Sequence, residues 1–246
     1  MFEHFIIMAS SYFKGKRIAF QYVYKGNMDY DETECAIKKI LDTCGDRISF
    51  STHYIRTESE YWKSVVSYDP FFDDVYLTET LEEFIYLLRK DIALSGLDIA
   101  KYILSKHKCT HLELEKLTYL CYADYLCKYG KRLCEDSIYA FTYGPVVDSV
   151  YGKYTRHKEI LSLDMMECIP YSRIMVLPDG VEKIRSIDET LEKYSKCSST
   201  DLVNITHADN SPWRMKDSTK MYQIIDDDLI QNHHSYEEQY FQEHFQ

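Results

Sequence analysis

The stretch "THLELEKLTYLCYADYLCKYG", residues 110–130, decides how the rest of the chain is read. Thr110 and Glu113 have the spacing of a capping box: the hydroxyl takes a backbone amide of the first helical turn, and the glutamate reaches back to the amide of the threonine. Gly130 stands where a helix needs a left-handed residue in order to stop. Between these signals Leu114, Leu117, Leu120, Cys121, Tyr122, Tyr125 and Leu126 fall around nearly the whole circumference. A helix that is apolar all round leaves no face for water, so this one lies at the centre of a helical domain.

The flanking sequence extends the helical reading. Upstream, "LDIAKYILSK" puts Ala100, Ile103 and Leu104 on one helical face. Downstream, Ser137–Tyr143 has strand character, Gly144 suits a tight turn, and Pro145 suits the first position of a helix. That helix would carry Val146, Val147, Val150, Tyr151 and Tyr154 on one stripe. A less regular stretch around Pro170 and Pro178 follows, then a helix near 181–196 and a last helix pair flanking "ITHADNSPW". The end, "NHHSYEEQYFQEHFQ", reads as frayed or mobile.

The N-terminal part alternates strand and helix signals. "RIAFQYVY" (17–24), "RISFSTHYI" (47–55) and "DDVYLT" (73–78) read as strands. Asp31 is the expected cap of a helix through Ala36, Ile37, Ile40 and Leu41 that stops at Gly45. Thr57 and Glu60 are the expected capping box of a helix containing Trp62 and Val65, and Thr80 with Glu83 starts another. The "HFIIMAS" start reads as structure, not as a signal peptide. The expectation is an α+β chain: a small α/β unit over 1–95, then a mostly α-helical domain over 96–246 with an acidic tail.

Composition narrows the function. The net charge of −11 opposes non-specific binding to nucleic acid, which needs basic patches against phosphates. Residues 97–216 hold 17 basic and 17 acidic side chains, whereas residues 217–246 hold 1 and 7. No apolar run reaches membrane-spanning length, and eight cysteines without an export signal fit reduced thiols in a cytoplasm. The spacing of Cys121, Cys127 and Cys134 is unlike that of zinc ribbons, and His107, Cys109 and His111 lack an evident fourth ligand, so no metal is assigned. No GxGxxG or phosphate-loop lysine is present, so no cofactor is expected. The 23 tyrosines suit both core and protein interfaces.

Three blocks in order, "LELEKLTYLCYADYLCKYGKRL", "YAFTYGPVVDSVYGKY" and "LVNITHADNSPW", resemble the Panacea (SocA-like) antitoxin domain family across roughly residues 97 to 235. Lys116, Leu117, Tyr119, Tyr125, Leu126, Tyr129, Gly130 and Leu133 match in the first block. Ala140, Tyr143, Gly144, Pro145, Val146, Val150, Tyr151 and Tyr154 match in the second, and Leu202, Thr206, His207, Pro212 and Trp213 in the third. Glu115 replaces a usual glutamine, Phe141 a common tryptophan, and Asp124 sits in a slot that is often aromatic. The resemblance implies a non-enzymatic protein of a prophage-type toxin–antitoxin system, which neutralises a cognate toxin by direct contact. It leaves a homo-oligomer open, places no nucleic acid or membrane among the partners, and makes residues 1–95 the plausible seat of partner choice.

Two other functions compete: an adaptor or inhibitor of another host protein, and a hydrolase using His207, which stands near Asp209 and Ser211. A triad requires spatial geometry, however, and no nucleophile-elbow motif is present. The structural expectation is that Thr206 or Asp209 caps a helix, His207 hydrogen-bonds inside the fold and Trp213 anchors a turn. Lys116, in an apolar helix, is expected to cover core surface with its stem while its ammonium reaches out or pairs with an acid such as Asp124 two turns away, with contact to a partner protein as the alternative. Tyr143, Tyr151 and Tyr154 are read as core, with a ridge at the Gly144–Pro145 turn as the interface alternative.

Overall fold

A computed structural model describes residues 1–46, 48–163, 170–216 and 222–245. The chain forms two compact units, Met1–Ala93 and Leu94–Gln246. Together they are α+β: a sheet-based unit followed by a mostly helical one.

The first unit is built on β1 (Phe2–Ser11), the strand formed by the "HFIIMAS" region. It lies between β2 (Lys16–Lys25) and β3 (Ser51–Thr57), antiparallel to both, and short β4 (Val75–Leu77) runs parallel to β2 at the far edge. Alternation along β1 serves two cores. Phe5, Ile7 and Ala9 pack with Ala36 and Ile40 of α1 (Tyr30–Cys44) and with Phe84 and Leu88 of α3 (Leu81–Ile92). Ile6 and Met8 pack with Val65 of α2 (Trp62–Tyr68) and with Phe72.

Two expected caps shift. The cap of α1 is Asp29, whose carboxylate accepts from the Glu32 amide, so Asp31 already lies inside the helix. Thr57 ends β3 and caps nothing: its hydroxyl lies 2.9 Å from His4 Nε2 and 2.8 Å from Ser64 Oγ. Helix α2 starts behind Tyr61 without a side-chain cap. Thr80 does cap α3, accepting from the Glu83 amide.

The second unit assembles around α5 (His111–Tyr129), with the Thr110–Glu113 capping box at one end and Gly130 in the left-handed conformation at the other. Helix α4 (Gly96–Lys106) packs on it, behind a capping box of Ser95 and Asp98. The Tyr143 region differs from the expectation. β5 (Ile138–Phe141) turns through Thr142 and Tyr143 into β6 (Gly144–Val147), and α6 (Asp148–Tyr154) starts only at Asp148. Pro145 is therefore a strand residue opposite Ala140. It is tolerated because β6 is an edge, where an amide need not donate to a neighbour.

The stretch after the first proline is also more regular than expected, forming α7 (Pro170–Met175). Helix α8 (Gly180–Tyr194) and helix α9 (Ser199–Thr206) pack on α5. β7 (Gln223–Ile224) adds to the free side of β5. The tail is the largest departure: residues 227–245 are the ordered helix α10 (Asp227–Phe245), which buries Ile230, His234, Glu237 and Phe241. Those four positions recur every three or four residues, a proper packing stripe on which two members are titratable.

Candidate functional site

Motif residues from all three blocks meet at the β5–β6 turn. Lys116 is fully buried, and its Nζ donates to the Pro145 carbonyl at 2.7 Å, not to Asp124. Neighbouring Glu115 accepts from the Val147 amide at 3.2 Å. Burial pushes the Glu115 carboxyl up and the Lys116 ammonium down. Gly144, at φ 104°, lets the backbone pass this close: a Cβ there would lie 2.9 Å from Thr206 Oγ1 and 3.0 Å from Lys116 Nζ. Pro145 and Val146 are buried beside it.

The third block closes the turn from the other side. Trp213 Nε1 donates to the Phe141 carbonyl at 2.7 Å, and Pro212 is buried next to it. The His207 ring stacks on Trp213 at 3.6 Å and 5°. Burial, with the charges of Lys116 and Arg214, lowers the His207 pKa to about 4, so the ring is neutral. Its Nε2 is buried without a hydrogen-bond partner among the described residues, contrary to expectation. Neither Thr206 nor Asp209 caps α9. Ser198 does, in a capping box with Asp201, while the Thr206 hydroxyl donates to the Leu202 carbonyl.

The hydrolase constellation does not assemble in these contacts. Ser211 Oγ donates to the Thr206 carbonyl at 2.9 Å, and exposed Asp209 lies 3.7 Å from Arg214. Likewise, among the described residues His107, Cys109 and His111 do not converge as ligands. Cys109 instead bridges to Leu161, its thiol pushed up to about 12 by burial and by Glu113.

The tyrosines divide between core and surface. Tyr119 and Tyr154 are buried, Tyr151 is half-buried, and Tyr143 at the turn is 68% exposed. On β5, Ile138 and Ala140 point inward while Tyr139 and Phe141 are half-buried. Phe141 packs edge-on to Tyr151 at 4.6 Å and to Tyr222 at 5.0 Å. Ile224 of β7, opposite Tyr139, and Tyr222 are both exposed. The outer side of the hairpin is thus an aromatic ridge running to Tyr143. Sequence reasoning named part of it, but Tyr222 and Ile224 lie some 80 residues away and join only through β7.

A second cluster was not anticipated. His234 of α10 is buried between two carboxylates, with Nδ1 2.6 Å from Glu237 and Nε2 2.7 Å from Asp124. Tyr119 donates to both Glu237 oxygens at 3.2 Å, and Thr190 of α8 donates to Asp124 at 2.6 Å. Burial alone would lower the His234 pKa, but the hydrogen bonds to Asp124 and Glu237 outweigh it and raise it to about 10. The family-motif residue Tyr119 therefore fixes a group that lies beyond the motif blocks.

The model of the antitoxin SocA-like, Panacea domain matches residues 114–214, which run from the start of α5 to the residue after Trp213. Comparison with curated proteins and with solved structures gives no significant match. The matched region contains every motif residue named above and ends before α10.

Proposed function

We propose that the chain is a non-enzymatic antitoxin that neutralises a cognate toxin by direct protein contact, with the ridge of Tyr139, Phe141, Tyr143, Tyr151, Tyr222 and Ile224 as its contact surface. The observation that carries this reading is the coincidence of the family match with the exposed aromatics. The buried motif residues Lys116, Gly144 and Thr206 and the half-buried Trp213 all brace the turn that projects Tyr143. Rigid, half-exposed tyrosines give large contact area with little loss of side-chain entropy, which is why such residues dominate interface energetics.

The setting that follows is a cytoplasmic one, with a prophage or mobile-element toxin as partner. Seven cysteines among the described residues are unpaired, and among those residues no helix is long and apolar enough to cross a membrane. The net charge of −11 favours a basic toxin surface through faster association. The β1–β4 unit is the proposed seat of partner choice, since it lies outside the matched region. An adaptor of another host protein would use the same ridge.

The test is co-expression with the product of the neighbouring reading frame, comparing wild type with the Tyr143→Ala/Tyr222→Ala double variant. Wild type rescues growth and co-purifies with the toxin in a fixed ratio. The double variant, with unchanged thermal stability, loses both. Rescue by the folded double variant at wild-type level would overturn the ridge, and a neighbour without toxicity would overturn the antitoxin reading.

A further inference from the structure

The cluster around His234 has the parts of a divalent-cation site. His234 Nε2, one oxygen of Asp124 and one of Glu238 lie within 4.8 Å of one another. They come from two helices at helical spacing: Asp124 on α5, and His234 and Glu238 one turn apart on α10. A cleft of 390 Å³, lined also by Cys127, Lys128, Glu189, Thr190 and Lys193, gives access from the Glu238 side, where that carboxylate is 40% exposed.

Two features separate this cluster from an ordinary buried ion pair. First, the other ring nitrogen is already committed: Nδ1 lies 2.6 Å from Glu237, which Tyr119 holds through both oxygens. A carboxylate fixing the far nitrogen is the arrangement that orients a metal-ligating histidine and raises its basicity. Second, a cation already sits among these carboxylates: Lys193 Nζ lies 2.8 Å from Glu238 and 3.8 Å from Asp124. A divalent ion between the same oxygens would meet the same negative charge.

We infer that His234 Nε2, Asp124 and Glu238 form a binding site for a divalent transition ion of the zinc class, with Glu237 as the orienting carboxylate. The donor set, one imidazole and two carboxylates, suits zinc or cobalt; metal–ligand distances of about 2.0–2.2 Å set ligand atoms about 3.3–3.6 Å apart, so a separation of up to 4.8 Å must shrink by about 1.3 Å and the 2.7 Å contact of Nε2 with Asp124 must open by about 0.7 Å. On binding, the Nε2 proton leaves and Lys193 swings into the cleft mouth. Three protein ligands leave a fourth position for water. The ion would join α5 to α10 and uses no residue of the ridge, so the inference does not rest on the proposed function.

The experiment uses the purified full chain, stripped with a chelator and titrated with cobalt(II) and zinc(II). Visible absorption reports the cobalt environment, and calorimetry gives the stoichiometry. One ion should bind per chain, with tetrahedral cobalt bands and no sulfur-to-cobalt charge-transfer band. Glu238→Gln, half-exposed and therefore expected to fold, should weaken binding by at least about tenfold. Lys193→Met should tighten it, because the competing ammonium is gone. Absence of one-to-one binding up to about 1 mM would overturn the site. So would binding unchanged in folded Glu238→Gln, or a charge-transfer band placing the ion on the cysteines.

Discussion

Gly144→Ala tests the joint between the central helix and the hairpin. The substitution puts one carbon where the backbone φ is 104°, 2.9 Å from Thr206 Oγ1 and 3.0 Å from both Cε and Nζ of Lys116. Holding a non-glycine residue in that conformation costs about 1–3 kcal/mol. Lys116 must also move, which weakens its bond to the Pro145 carbonyl by about a further 1 kcal/mol. The sum, about 2–4 kcal/mol, corresponds to a fall in Tm of roughly 5–15 °C for a chain of this size. The assay is thermal unfolding followed by Trp213 fluorescence in a Trp62→Phe background, which leaves a single tryptophan in the second unit. Gly152→Ala is the control: it is exposed in α6, its Cβ meets nothing within 4 Å, and it should be neutral or stabilising by about 0.5–1 kcal/mol. A Gly144→Ala protein melting within about 1 °C of wild type would refute the reasoning.

The His207 pKa is depressed to about 4, so its contribution to stability is present in full above the unfolded value near 6.5 and is lost as pH falls toward 4. Between pH 7 and pH 5 wild type should therefore lose about 1–2 kcal/mol more in urea unfolding than His207→Gln, and parallel pH profiles would contradict this. Amide hydrogen exchange should find Ile230–Phe241 as protected as α5. Glu237→Ala, which strips His234 and Tyr119 of their shared partner, should cost about 3–5 kcal/mol and release that protection; fast exchange in wild type would show that α10 frays. Trp213→Phe, losing its bond to Phe141, should cost about 1–2 kcal/mol, whereas exposed Tyr143→Ala should stay within about 0.5 kcal/mol in denaturant titration.

Helix α5 was legible in the sequence because its signals are local: the cap, the stop and the apolar circumference all lie within residues 110–130. The hairpin was half legible. Gly144 was read correctly as a turn residue with positive φ, but Pro145 fits a helix start and an edge strand equally well, and only pairing with Ala140 decides. Helix α10 was hidden by chemistry. Its stripe of Ile230, His234, Glu237 and Phe241 has helical period, yet the two central members look like solvent-exposed residues until Asp124 and Tyr119, more than 100 positions earlier, are placed against them. Lys116 shows the same limit: the acid expected as its partner, Asp124 two turns away, is not the one it meets, and its actual partner is a backbone carbonyl that no side-chain pattern announces.

The dependence of α5 on α10 has a consequence for synthesis. About a hundred residues separate the end of the central helix from the start of the helix that completes its surroundings. At a translation rate of about 5–20 residues per second, Tyr119 and Asp124 wait roughly 5–20 s on the ribosome before His234 and Glu237 exist. During that interval the nascent second unit presents a hydrophobic helix with an unpaired carboxylate, a substrate for chaperones and proteases. The supply of active protein would then be set by how fast the ribosome covers that last hundred codons, and a pause within them would lower its level without altering a single contact in the finished fold.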